Sequence, residues 1–153
     1  MHQFFATVAW QRDGQDFAGQ RYSRGHEWRF DGGLTVAASS SPLSVPLPMS
    51  VAENVDPEEA LVAATSSCHM LFFLSLAAQR GYVIDDYRDD AVGELGKNAA
   101  GRLAMTRIVL RPRIAFAETA PTPEALAALH HDAHEHCYIA NSLTADVVVQ
   151  GTH

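Results

Sequence analysis

The chain holds little cysteine: Cys68 and Cys137 are the only two among 153 residues. That excludes the disulfide framework on which small secreted domains depend. No CxxC pair is present, so the commonest structural zinc spacing is missing. Cationic side chains are also scarce, with 11 Lys and Arg against 18 Asp and Glu and a net charge of −7. Binding a phosphate backbone requires clustered cations, and no long basic run occurs, so no nucleic-acid partner is expected. The opening Met1-His2-Gln3-Phe4-Phe5 has no cationic segment followed by an apolar one, so no signal peptide is expected. The expected location is the cytoplasm, where thiols stay reduced. Internal repeats and low-complexity tracts are absent.

Charge is missing altogether from residues 60–78, ALVAATSSCHMLFFLSLAA. The length approaches the roughly 20 apolar residues of a membrane-spanning helix. Thr65, Ser66, Ser67, His69 and Ser75 interrupt it, and no cationic cluster flanks it. A buried helix is therefore expected, with no membrane partner. A helix apolar on all sides belongs at the centre of a fold. In so small a protein, that centre is expected to be shared with a second copy.

Apolar residues make up 47% of the chain, enough for a core without covalent staples, and a single domain over residues 1–153 is expected. Strands are expected over 2–10, 20–30 and 34–38, with Asp31-Gly32-Gly33 as a hairpin turn. The Ser- and Pro-rich segment 39–54 reads as a loop. Asp56 as N-cap, Pro57 at the first helical position and Glu59 closing a capping box start a long helix. That helix is expected to run to about Arg80 and stop at Gly81. Strands follow over 83–93 and 106–116, with Pro112 marking an edge or a bulge. Thr122 and Pro123 open a second helix, whose apolar stripe Leu126, Leu129, Ala133 continues by four to Cys137. Cys137 is thus expected to face inward. Residues 144–150 read as a closing strand. The order of elements is that of an α+β fold.

Cys68 lies inside the uncharged helix, and its plain reading is a small buried hydrophobe with an inert thiol. Reactivity would require a nearby cation, which its own helix does not supply. The helix N-terminus lies 68 − 57 = 11 residues away, too far for its dipole to act. Glu58 stands favourably at that N-terminus. It is ten residues from Cys68, or about 15 Å of helical rise. The two can meet only if the helix breaks or if two copies of it cross antiparallel. Arg21, Arg24, His26 and Arg29 precede the hairpin turn. By alternation Arg24 and His26 share a face with Tyr22 and Trp28, so an arginine there either stacks on aromatics or supplies the missing cation. His130, His131, His134 and His136 cluster before Cys137. His130 and His134, four apart, with Cys137 have a spacing that fits zinc, with Cys68 or His69 as the only obvious fourth ligand. The alternative is a polar helix face. Met70, Leu71, Phe72 and Phe73 read either as core or as an apolar pocket around Cys68.

Two segments together carry a family resemblance. Asp56-Pro57-Glu58-Glu59-Ala60-Leu61, followed by Ser66-Ser67-Cys68-His69-Met70, resembles the central-helix signature of the OsmC/Ohr proteins. His134-Glu135-His136-Cys137-Tyr138-Ile139-Ala140-Asn141-Ser142 resembles the family's second-cysteine region, 137 − 68 = 69 residues on. Tyr22-Ser23-Arg24-Gly25-His26 resembles an Arg-x-His element of one branch. Tyr138 stands where the family often has proline, and the arginine motif of the hydroperoxide-resistance branch is absent.

The resemblance implies an OsmC-like α+β fold, with antiparallel sheets around a long central helix in an intertwined homodimer. It implies a thiol peroxidase for organic hydroperoxides, recycled by an external dithiol and using no metal or organic cofactor. By position, Cys68 would be the peroxidatic cysteine, Cys137 the resolving cysteine and Glu58 the active-site carboxylate. Arg24 would be the active-site arginine, with Arg21 and Arg29 as alternatives. Two other readings stand beside this one: a non-catalytic redox-sensing or ligand-binding module on the same fold, and a metal-binding protein using His130, His134 and Cys137.

Overall fold

A computed structural model describes residues 1–151, which fall into two compact units, Met1–Ala60 and Leu61–His153. The first unit is a three-stranded antiparallel sheet in the order β1 (Ala6–Ala9), β2 (His26–Phe30), β3 (Thr35–Ala38). Its hairpin closes at Gly33, whose φ of +90° suits glycine. There Gly33 N–H donates to Phe30 O at 3.0 Å and Phe30 N–H donates to Leu34 O at 2.9 Å.

The first two strands are shorter than the expected 2–10 and 20–30. Local side chains take the backbone groups that a longer ladder would use. Ser23 N–H donates to Gln15 Oε1 at 2.6 Å, Gly19 N–H to Asp16 Oδ1 at 2.9 Å, and Trp10 Nε1–H to Ser23 O at 2.8 Å. Past β3 the loop is tied back at Ser39. Its N–H donates to Val55 O at 3.0 Å, and its hydroxyl accepts from Val51 N–H at 2.9 Å.

The long helix α1 (Pro57–Gln79) begins and ends as the sequence indicates. Glu59 N–H donates to Asp56 Oδ1 at 2.8 Å, and Asp56 N–H donates back to Glu59 Oε2 at 3.3 Å. These reciprocal bonds satisfy donors that a helix start leaves orphaned. At the other end Gly81 takes φ +82°. Gly81 N–H then reaches Ala78 O and Tyr82 N–H reaches Ala77 O, each at 3.0 Å, which is the Schellman pattern. In length and composition α1 resembles a membrane span. One of its faces, Thr65, His69, Phe73 and Ala77, is buried within the protein at steps of four residues.

The second unit continues with β4 (Ile84–Asp89), β5 (Val92–Lys97), β6 (Leu103–Leu110), β7 (Pro112–Phe116), α2 (Pro123–His136), a 3-10 turn at Ala140–Ser142 and β8 (Asp146–Val149). β4 pairs antiparallel with β7, β5 pairs antiparallel with β6, and β8 joins β6 in parallel. The strands expected over 83–93 and 106–116 are therefore each two strands. Pro112 has no N–H to carry a ladder onward, and Arg111 N–H leaves the ladder to donate to Asp89 Oδ1 at 2.6 Å. Both strands break at this corner, so β4 and β5 belong to different sheets.

α2 is capped by Thr122, whose Oγ1 accepts from Ala125 N–H at 3.3 Å. Its buried residues, Leu126, Leu129, His130 and Ala133, meet Phe73 and Ala77 of α1 over Tyr82, Ile84, Tyr87, Ile114 and Phe116. Gly93 of β5 lets α1 approach, since a Cβ there would lie 2.5 Å from a Val62 methyl carbon. Phe73 is the largest fully buried side chain of this core. Phe73→Ala is expected to lower stability by about 3–5 kcal/mol, measured by urea unfolding, with the cavity and the lost transfer energy both contributing.

Candidate active site

Cys137 caps the C-terminal end of α2. Its N–H donates to His134 O at 3.1 Å, and its Sγ accepts from Ala140 N–H at 3.4 Å. It continues the stripe Leu126, Leu129, Ala133 and is 1% exposed, facing inward as its spacing predicts. Cys68 is half-buried on α1, one residue off the buried face, and both cysteines are free thiols. Cys68 is among the groups that bear on the Cys137 thiol. Burial, above all, pushes the Cys137 thiol up to about 11, with the neighbouring Cys68 adding to the rise and the Ala140 N–H opposing it. At neutral pH Cys137 is therefore a protonated thiol.

On the same helices as the thiols lies a pair of histidines that sequence reasoning joined only as possible zinc ligands, not to each other. His69, next to Cys68 on α1, and His130 on α2 share a hydrogen bond of 3.0 Å between Nε2 and Nδ1. The two ring planes are 7° apart with centroids at 5.4 Å, the edge-to-edge arrangement an in-plane hydrogen bond requires. Phe73 covers one face of His130 at 4.4 Å. Both imidazoles are almost fully buried, and the outer nitrogens, His69 Nδ1 and His130 Nε2, have no partner among the described residues. An unpaired buried polar atom costs about 1–3 kcal/mol, so this pair is a poor choice for stability alone. A signal for it existed: each histidine sits four residues from a buried neighbour on its own helix, Thr65 and Phe73 on α1 and Leu126 on α2.

The remaining histidines separate. His131 and His136 are exposed, and His136 Nδ1–H donates to Asp132 O at 2.7 Å. Among the described residues, no three His, Cys, Asp or Glu side chains come together as metal ligands. His130, His134 and Cys137 are thus not assembled as their spacing suggested, because His130 turns to His69. The run 70–73 spreads around the helix. Phe73 is in the core, Leu71 is 60% exposed, and Phe72 meets Tyr138 edge-on at 5.0 Å. Four consecutive helical residues point in all directions.

The arginines lie in the first unit and differ in their partners. Arg21 pairs with Asp16, and Arg29 pairs with Glu27 at 2.7 Å. Arg24 holds no carboxylate among the described residues. Its guanidinium carbon sits 3.7 Å above the Tyr22 ring. Nη1 donates to Gln20 O at 3.1 Å and Tyr22 O at 2.6 Å, and Nη2 donates to Gln20 Oε1 at 3.0 Å. His26 is oriented from both sides: Trp28 Nε1–H donates to its Nε2 at 3.0 Å, so Nδ1–H donates to Arg24 O at 2.7 Å. Trp10, Phe17 and Tyr22 pack ring on ring at 4.8–5.8 Å. Together with Arg24, His26 and Pro57 they line a mostly apolar cleft of about 390 Å³. Glu58 follows Pro57 in the first turn of α1, half-buried.

The family model described as OsmC-like protein matches residues 51–151. Among solved structures, an OsmC-like protein of unknown function from Vibrio cholerae is 52% identical, covering 98% of this chain and 99% of its own, with a TM-score of 0.95. An organic hydroperoxide resistance protein from Elizabethkingia anophelis shares the fold at 16% identity, with coverage of 99% and 98% and a TM-score of 0.70. The organic hydroperoxide resistance protein OhrB of Bacillus subtilis does so at 17% identity, with the same coverage and a TM-score of 0.66. No curated protein matches the chain.

The buried imidazoles give a pH dependence. Desolvation, first, holds His69 down to about 4, with His134 adding to the depression and Asp89 opposing it. Desolvation, then His69, holds His130 down to about 4. The unfolded chain titrates its histidines near 6.5. Above that value neither state binds the proton, and below it only the unfolded state does. Stability is therefore full above pH 6.5 and is lost as pH falls from 6.5 towards 4, by up to about 3 kcal/mol for one ring. Thermal melts from pH 7.5 to 4.5 are expected to show the loss, and His69→Leu/His130→Leu is expected to flatten it.

Proposed function

We propose, on the premise that the chain belongs to the OsmC-like family, that it is a cytoplasmic, homodimeric thiol peroxidase acting on organic hydroperoxides. The observation that carries the reading is two free thiols of unequal burial, Cys68 and Cys137, 69 residues apart in sequence, the first among the groups that raise the second. Peroxide reduction by two cysteines requires that inequality. One sulfur must be reachable by substrate, and the other must wait, protonated, beside it.

The Cys68 thiolate attacks the outer oxygen of ROOH. A sulfur–oxygen bond forms, the O–O bond breaks and the alkoxide leaves, to be protonated as ROH. Cys68 is then a sulfenic acid. The Cys137 sulfur attacks it, the S–S bond forms, and the sulfenic oxygen departs as water with the Cys137 proton. An external dithiol restores both thiols by exchange.

A guanidinium serves the first step twice, by stabilising the thiolate and by stabilising the developing alkoxide. Of the three candidates, Arg24 is preferred, because Arg21 and Arg29 already hold carboxylates. Glu58 matches its free edge as a carboxylate would. Ten residues of helix, about 15 Å, part Glu58 from Cys68 of its own chain. The reading therefore takes Glu58 from the partner subunit, across antiparallel copies of α1. Exposed Leu71 and Ala64 on α1 are consistent with such a contact. The aromatic lining around Arg24 suits the organic portion of a hydroperoxide, the substrate class named for the Elizabethkingia and Bacillus proteins of this fold.

Reduced protein is to be mixed with one equivalent of cumene hydroperoxide, quenched within seconds and mapped by peptide mass spectrometry. A Cys68–Cys137 disulfide is expected, absent in Cys68→Ser and replaced by a Cys68 sulfenic acid in Cys137→Ser. Thiols still reduced after minutes would overturn the peroxidase reading. Because Cys137 is held up to about 11, closure of the disulfide is expected to accelerate about tenfold per pH unit between 7 and 10. Stopped-flow measurement on the sulfenic form checks this, and a rate independent of pH would remove Cys137 as the attacking thiol.

A further inference from the structure

Four groups of interest lie on α1 and along the buried stripe of α2. On α1, Cys68 and His69 are consecutive. On α2, His130 and Cys137 are seven residues apart, two turns along one buried stripe. His69 meets His130 in a hydrogen bond, and Cys68 is among the groups that bear on the Cys137 thiol, so the imidazole pair joins the two helices that carry the thiols. The imidazole pair is the more closely defined. Its 3.0 Å bond, its 7° ring alignment and the Phe73 ring against His130 fix rotation and translation of α2 against α1. An apolar pair would fill the same space without leaving His69 Nδ1 and His130 Nε2 unpartnered. It would also leave the register free to slide, because apolar contact is non-directional. Disulfide closure tolerates little sliding, since the bond is strict in Cα separation and dihedral angle.

We propose that the His69–His130 hydrogen bond is a positioning device that holds α2 in register on α1 so that Cys137 can close on oxidised Cys68. The inference rests on the peroxidase reading and adds two residues to it. Neither ring touches the peroxide. The bond exists only while the pair carries one proton between the facing nitrogens. A first further proton is carried on the donating ring and leaves the bond in place; a second makes both rings imidazolium, sets N–H against N–H and opens it. The groups that bear on that proton are His134 on α2 and Asp89 on β4, with Tyr87 of β4 packed against Phe73 on the same side. Of these, Asp89 favours the added proton and His134 opposes it.

The test separates the two chemical steps. His130→Leu keeps the volume and removes the bond, whereas His130→Asn returns a polar atom to the place of Nδ1. With cumene hydroperoxide, sulfenic acid formation on Cys68, trapped by dimedone, is expected within about twofold of wild type in both variants. Disulfide closure is expected to slow about tenfold or more in His130→Leu and to recover to within about threefold in His130→Asn. His69→Leu and His69→Gln form the matching pair, Gln returning a polar atom to the place of Nε2, and stand in should a position-130 variant fail to fold.

Closure at the wild-type rate in both Leu variants overturns the proposal. So does an equal loss of sulfenic acid formation and closure, which would make the pair a support of the whole fold. Absence of sulfenic acid in the wild-type protein as well would overturn the peroxidase reading itself, and this inference with it.

Discussion

The packing of α2 along one face of α1 is the contact on which the rest of the second unit depends. Thr65, His69, Phe73 and Ala77 form the α1 face; Leu126, Leu129, His130 and Ala133 form the α2 face. Continuing the α2 stripe past its last helical residue delivers Cys137, 1% exposed. Cys68 is one residue removed from the α1 face and so lies at its border, half-buried. A helix turns about 100° per residue, so a position on a buried stripe and one a residue off it differ in burial as Cys137 and Cys68 do. The unequal burial of the two sulfurs needs no special device beyond the choice of positions 68 and 137 relative to the stripes.

What was legible in the sequence was local. Asp56 and Glu59 cap α1 reciprocally, Gly81 ends it, Thr122 starts α2, and Cys137 faces inward, all from interactions within a few residues. The α+β class and the family resemblance followed from the order of such elements. What was not legible depends on distant partners. The break of two long strands is set by Asp89 accepting from Arg111, 22 residues on. The parallel seat of β8 beside β6 leaves no mark on either strand. The His69–His130 bond spans 61 residues, and a pattern that sorts residues into apolar and polar places histidines outside a core. Only their steps of four from buried neighbours betrayed them.

The arginines occupy a middle ground. Alternation placed Arg24 and His26 on one face, and both line the same cleft, although Arg24 precedes β2 and is held by the loop. The ion pairs that engage its neighbours are short in sequence, five residues for Arg21 with Asp16 and two for Arg29 with Glu27, and could have been read from spacing. Arg24 is fixed instead by carbonyls of Gln20 and Tyr22 and by the Tyr22 ring. A guanidinium held by neutral groups has its direction set and keeps an edge open to a carboxylate or to a developing anion. Those are the two properties that make a fixed charge effective at a developing anion.

The first unit raises a different question, because little in it is buried. Ala38, Ser39, Ser50 and Asp56 are its buried side chains, small or polar, while Phe4, Phe5, Val8, Phe17, Leu34 and Leu43 are half exposed or more. Apolar surface of that extent marks an interaction site on a soluble protein, and a three-stranded sheet needs an apolar face covered to be stable. The exposed flank of α1 makes the same demand. A second copy of the chain is the economical answer, since it would cover both surfaces with the partner's own. It would also bring a Glu58 within reach of a Cys68 that its own helix keeps about 15 Å away. In the proposed homodimer, then, stability and chemistry have a common requirement: the residues that cannot be buried in one chain flank those that cannot react in one chain.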